Sequence, residues 1–100
     1  MVREKAVLKA KGTSGYRSEY LQIVEGIGPK IEKLLYAADI KNWHDLAATS
    51  VDELKEILKN AGPRYKLHDP TSWPKQANLA AEGKFDELKT YQDKLKGGKE

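Results

Sequence analysis

This sequence predicts an all-α protein, a compact bundle of five or six short helices. Three observations carry that reading. Apolar residues recur at helical spacing in several separate stretches. Each stretch is bounded by residues whose chemistry starts or stops a helix. A seven-position pattern also recurs at an offset of thirty-four, so two related glycine turns are expected, the second of them degenerate.

Tyr20, Ile23, Val24 and Ile27 fall at i, i+3, i+4 and i+7 and predict a first helix that stops at Gly26. Pro29 suits a first helical turn, where a missing N–H leaves nothing unpaired, and Ile31, Leu34, Leu35 and Ala38 form the stripe of the helix it opens. A short helix is expected from Trp43 to Ala48. The next begins after Ser50, with Glu53 completing a Ser-x-x-Glu capping box, and Leu54, Ile57, Leu58 and Ala61 carry its buried face. Gly62 and Pro63 end it, one by accepting a left-handed backbone and the other by forbidding continuation. An irregular connection over 63–71 contains Pro70. Thr71 or Ser72 then caps a helix with Pro74 in its first turn, running through Ala77 and Leu79 to Glu82 and closed by Gly83. Phe85, Leu88, Tyr91 and Leu95 edge the last helix, and residues 97–100 are expected to fray.

The repeat maps Tyr20, Ile23, Val24, Ile27, Gly28, Pro29 and Lys30 onto Leu54, Ile57, Leu58, Ala61, Gly62, Pro63 and Arg64. Beyond Tyr65 the match breaks, because a longer loop with Pro70 replaces the immediate second helix.

One hundred residues fit a single domain with a small core. With no cysteine, disulfides and thiolate metal ligation are excluded, and a reducing cytoplasm is the expected compartment. No apolar run approaches the ~20 residues of a membrane span, and the N-terminus lacks a secretory-signal pattern. The net charge is +3, and residues 1–20 hold five basic and two acidic side chains against thirteen of each in the remainder. Residues 1–19, with Arg3, Lys5, Lys9, Lys11 and Arg17 and the linker-like Gly12-Thr13-Ser14-Gly15, therefore read as a flexible basic arm, either attracting a polyanion or simply solvated. Lys5 to Ala10 alternates too briefly to establish a strand. The folded domain is expected over 20–96, as a monomer.

Chemistry concentrates at Gly26-Ile27-Gly28-Pro29-Lys30. The glycines permit a tight turn and close approach of another backbone, while the following helix start presents unpaired N–H groups and the positive end of its dipole. A phosphate oxygen fits there, held by the N–H groups of Gly28 and Lys30, with the charges of Lys30 and Lys33 nearby and Ile27 anchoring the turn inward. Arg64 and Lys66, after the second turn, are further candidate phosphate contacts or a solvated loop.

Val24, Gly26, Ile27, Gly28, Leu34 and Leu35 make this stretch resemble the helix-hairpin-helix family. The resemblance implies sequence-independent binding to the DNA backbone, the hairpin sitting at the minor groove. Glu32 departs from the small residue usual at its position and puts a negative charge near the expected phosphate. Leu46-Ala47-Ala48-Thr49-Ser50-Val51, Ala61-Gly62-Pro63-Arg64-Tyr65, Trp73-Pro74-Lys75-Gln76-Ala77 and Gly83-Lys84-Phe85-Asp86-Glu87-Leu88 resemble a bacterial group of small helix-hairpin-helix proteins related by analogy to the DNA-binding part of flap endonucleases.

No enzyme is expected. Besides the missing cysteine, there is no serine with a suitable neighbouring histidine and no acidic set at two-metal spacing. The glycosylases that resemble this hairpin need a deep pocket for a flipped base, which a chain this short does not build. His44 and His68 make no metal-spacing pair, and Asp52, Glu53 and Glu56 are explained by the dipole of their helix. Neither metal nor cofactor is expected. Tyr36, Trp43, Tyr65 and Trp73 are candidate stacking platforms for single strands, the two tryptophans reading first as packing anchors. The expected partner is nucleic acid, DNA first. Two alternatives stay open: RNA or ribosome association through the same groups, and a protein adaptor whose C-terminal helices dock a partner through Trp73, Phe85 and Tyr91.

Overall fold

Leu21, Val24 and Ile27 are all buried, but they do not share one helix. In the computed structural model, which describes residues 17–97, the expected first helix is a single 3-10 turn, Leu21–Ile23. Val24 is already extended at φ −78 and ψ 127. Ile23, Val24 and Ile27 are β-branched and Gly26 is a poor helix former, so local propensity offers little support for a longer helix. Tyr20 and Ile23, which the 3.6-residue spacing put on the buried face, are half-buried instead.

Five α-helices follow, and no strand occurs among the described residues: α1 (Pro29–Ala37), α2 (Trp43–Ala47), α3 (Val51–Ala61), α4 (Trp73–Ala81) and α5 (Phe85–Gly97). Pro29 occupies the first position of α1 as expected. Ala38 does not extend the apolar stripe but lies exposed at the end of α1, where Asp39 enters the left-handed region at φ 72. The bonds Ile40 N–H to Leu35 O and Asp39 N–H to Tyr36 O, both 2.9 Å, make this a Schellman stop. It delivers Ile40 to the core. The same pair of bonds closes α4 at Gly83, φ 76, with Lys84 N–H to Leu79 O at 2.9 Å and Gly83 N–H to Ala80 O at 3.0 Å.

Asn42 caps α2 by accepting from Asp45 N–H at 2.8 Å. The Ser50 capping box forms on α3, with Glu53 N–H to Ser50 Oγ at 3.1 Å and Ser50 N–H to a Glu53 oxygen at 3.3 Å. Ser72 stands at the N-cap of α4 without accepting a backbone N–H; its hydroxyl accepts from the Gln76 amide at 3.0 Å instead.

Leu58 of α3 is buried like its counterpart Val24, but Leu54 is buried where its counterpart Tyr20 is only half-buried, and the two glycine turns do not share a backbone. Gly62 stands at φ 131 whereas its counterpart Gly28 has φ −100, and residues 63–67 form turns rather than a second helix. The second copy keeps one helix and a glycine stop and loses the hairpin.

α4 is the centre of the bundle. It packs chiefly on α2 and also on α5, while α1 rests on α3 and on the 3-10 turn. Trp43 lies edge-on to Phe85 with ring centroids 5.7 Å apart, and its indole N–H donates to Tyr20 O at 2.9 Å. Trp43 N–H also donates to Ser18 O, and the Tyr36 hydroxyl to Glu19 O, so the folded part begins upstream of Tyr20. The rest of the basic arm, residues 1–16 with Arg3, Lys5, Lys9, Lys11 and the glycine-serine linker, lies outside the described residues, as do Gly98, Lys99 and Glu100. No helix among the described residues is long and apolar enough to cross a membrane.

Candidate nucleic-acid interface

The turn that joins the 3-10 helix to α1 holds two glycines with different physical jobs. Gly26 has φ +105, which side-chain-bearing residues rarely adopt, and a Cβ built on it would lie 2.8 Å from Trp73 Nε1. Trp73 is 1% exposed, so the turn lies directly on a core indole contributed by α4. Gly28 sits at φ −100 and ψ −174, open to any residue, and a Cβ there meets nothing within 4 Å. The fold itself does not require glycine at position 28. Ile27, between them, is buried as expected.

A buried amide clamps the turn from behind. Gln76 is 0% exposed, accepts from Glu25 N–H at 2.7 Å and donates to Glu25 O at 3.3 Å, gripping both polar groups of one peptide position. Gln92 of α5 donates to Gln76 Oε1 and to Ile23 O, each at 2.8 Å. Two helices distant in sequence, α4 and α5, thus hold one turn. Replacing Gln76 by Leu keeps most of the volume but strips Glu25 of both partners, and chemical denaturation should show a loss of about 1–3 kcal/mol.

Gly28 is the N-cap of α1 with no side-chain cap, and Pro29 has no N–H to offer. Glu32 N–H donates to Gly28 O at 2.9 Å, whereas the N–H groups of Gly28, Lys30 and Ile31 have no acceptor among the described residues. Lys30 and Lys33 are exposed, one helical turn apart, and in no ion pair among the described residues. Donors without acceptors, the positive end of the helix dipole and two exposed cations therefore share the first turn of α1.

Glu32 points the other way. Its carboxylate accepts from Leu21 N–H and from the Gln22 amide, each at 2.9 Å, capping the 3-10 turn. Its departure from the motif thus has a local structural reason. Beside it, burial and then the Glu32 charge push the Tyr36 phenol up to about 12.

Arg64 and Lys66 are exposed on the turns after α3. Lys66 lines a separate cleft with Lys55 and Lys59, to which no residue of the Gly26–Gly28 turn contributes. The residues that sequence reasoning missed at the hairpin are Gln76 and Gln92. A lone glutamine among Ala77, Leu79 and Ala80 is a signal for a buried polar contact, but nothing local tells which backbone it grips. Trp73 and Tyr91, expected to be available to a protein partner in the adaptor reading, are buried, and Phe85 is packed against Trp43.

A glycine turn leading into an uncapped helix start flanked by lysines defines a helix-hairpin-helix domain. The chain belongs to the RS2/RL21/YNQ2 HHH domain family, whose model matches residues 21–81, from the 3-10 turn to the end of α4. Membership points to nucleic-acid or ribosome-associated binding as the coarse functional class. No curated protein and no solved structure matches the chain.

Proposed function

We propose that the protein binds nucleic acid, DNA first, without sequence preference, by seating a backbone phosphate on the start of α1. The observation that carries this reading is the set of N–H groups of Gly28, Lys30 and Ile31, without acceptors among the described residues, at a helix start that also carries the exposed Lys30 and Lys33. Phosphate is the ligand that such a helix start favours, since the N–H groups bond its oxygens and the dipole attracts its charge. The open space over Gly28 supports it further, because close approach of a sugar-phosphate backbone is a reason for glycine that the fold does not supply. Contacts to phosphate position a protein without reading bases. The domain acts as a monomeric binding module in the cytoplasm rather than as an enzyme, and needs no cofactor.

Fluorescence anisotropy of a labelled duplex titrated with the protein tests this. Engagement of four or five phosphates gives micromolar or weaker affinity and a log-log salt slope of about −4. An absence of binding at low salt, to duplex and to an RNA competitor alike, overturns the reading. Tighter binding of the RNA would move the preferred partner to RNA, which the same phosphate-directed groups permit.

A further inference from the structure

We propose a second phosphate-binding site in the cleft between α3 and the 66–71 connection, where the same nucleic-acid backbone makes an additional contact. The inference rests on the nucleic-acid reading above and shares with its candidate residues only Lys66, using none at the start of α1.

The cleft has a volume of about 470 Å³, within the range of roughly 300–1,000 Å³ typical of ligand sites. Its charged lining comes from three directions. Lys55 and Lys59 stand one turn apart on α3, Lys66 comes from the turns that follow, and His68 and Asp69 close the far side. The buried Leu58 and Pro70 form an apolar floor. None of the three lysines is in an ion pair among the described residues, unlike Lys41, Lys84 and Lys89, which pair with Asp39, Glu82 and Asp93. The one carboxylate in the lining, Asp69, is turned onto its own chain, where Oδ1 accepts from Thr71 N–H and from the Thr71 hydroxyl. The acidic residues of α3, Asp52, Glu53 and Glu56, do not line the cleft.

This arrangement selects phosphate over other ligands. Three ammonium groups over a small apolar floor offer point charges, which suit a phosphate, while His68 is the one aromatic ring in the lining and no arginine fork or side-chain amide is present to read a base edge in two places at once. A cleft between α4 and α5 contrasts with it. There Lys75 and Lys94 are offset by Asp86 and Glu87, and the Lys75 ammonium already sits 4.5 Å from the centre of the Tyr91 ring.

The test uses the full chain and two double variants of equal charge change. Lys55→Gln with Lys59→Gln removes the α3 side of the cleft at exposed positions that glutamine tolerates in a helix. Lys41→Gln with Lys89→Gln removes two ion-paired lysines elsewhere. Amide NMR titration with inorganic pyrophosphate at low salt is expected to shift residues 55–71 in the wild type and in the Lys41/Lys89 variant, and not in the Lys55/Lys59 variant. With duplex DNA, the Lys55/Lys59 variant should bind about tenfold more weakly and flatten the salt slope by about two, one unit for each phosphate-contacting lysine. Equal losses in both variants, or pyrophosphate shifts confined to residues 26–33, overturn the second site and leave the hairpin reading intact. Retention of the 55–71 shifts alongside DNA binding that ignores charge reversal at Lys30 and Lys33 would have the opposite meaning, sinking the hairpin and keeping the cleft.

Discussion

Reversing two charges, Lys30→Glu with Lys33→Glu, is expected to weaken DNA binding on the order of 100-fold while leaving the fold as stable as before. An exposed ionic contact contributes up to about 1 kcal/mol, and reversal replaces attraction by repulsion of similar size. Two such residues thus account for about 3 kcal/mol, or two orders of magnitude in Kd. The salt slope should fall by about two at the same time, since two fewer phosphates are neutralised. Stability moves the other way if at all. Both side chains are exposed and unpaired among the described residues, and an acidic residue near the start of α1 interacts favourably with the helix dipole. Anisotropy titrations with parallel thermal melts therefore separate loss of the site from loss of the fold. Unchanged affinity in a well-folded variant would remove the start of α1 as the phosphate site.

The two glycines of the turn should fail in opposite ways. Alanine at position 26 must adopt φ +105, a strain of about 1–3 kcal/mol, and its Cβ at 2.8 Å from Trp73 Nε1 forces a shift in a core indole that costs about 1–3 kcal/mol more. For a domain of this size each kcal/mol lowers Tm by about 4–8 °C, so Gly26→Ala should melt at least about 10 °C below the wild type. Alanine at position 28 meets no neighbour and no forbidden dihedral. Its cost is the weaker N-cap, under about 1 kcal/mol, and its melt should lie within a few degrees of the wild type. Its DNA affinity should nonetheless fall, because the methyl group stands where the phosphate approaches. A Gly28→Ala protein that binds normally would show that no backbone comes close there, and a Gly26→Ala protein that melts normally would contradict the packing of the turn on Trp73.

The elements legible from sequence are those whose determinants lie within one turn of one another. Pro29 opening α1, Ser50 with Glu53 capping α3, Gly83 stopping α4 and the buried Leu54 and Leu58 all follow from spacings of a few residues, over which the chain's own stereochemistry decides. The glycine turn, its inward Ile27 and its two outward lysines belong to the same class. The 3-10 turn does not, because Tyr20, Ile23, Val24 and Ile27 match an α-helical spacing, and the choice falls to what each side chain packs against. Asp39, in a position usually taken by glycine, was hidden for a related reason: the burial of Ile40 in the core offsets its left-handed backbone.

What the sequence by itself determined is the all-α class, the starts of α1 and α3, the stops of α3 and α4, and the two lysines on the first turns of α1. Tertiary structure alone decided which glycine the fold needs and which it does not. Gly26 is specified by Trp73 of α4, the preceding peptide by a glutamine 51 residues away, and the orientation of Glu32 by a 3-10 turn eleven residues upstream. Contacts of that separation arise only once the chain has paid the entropy of closing long loops, and no local pattern of apolar and polar residues encodes which distant backbone a buried amide will meet.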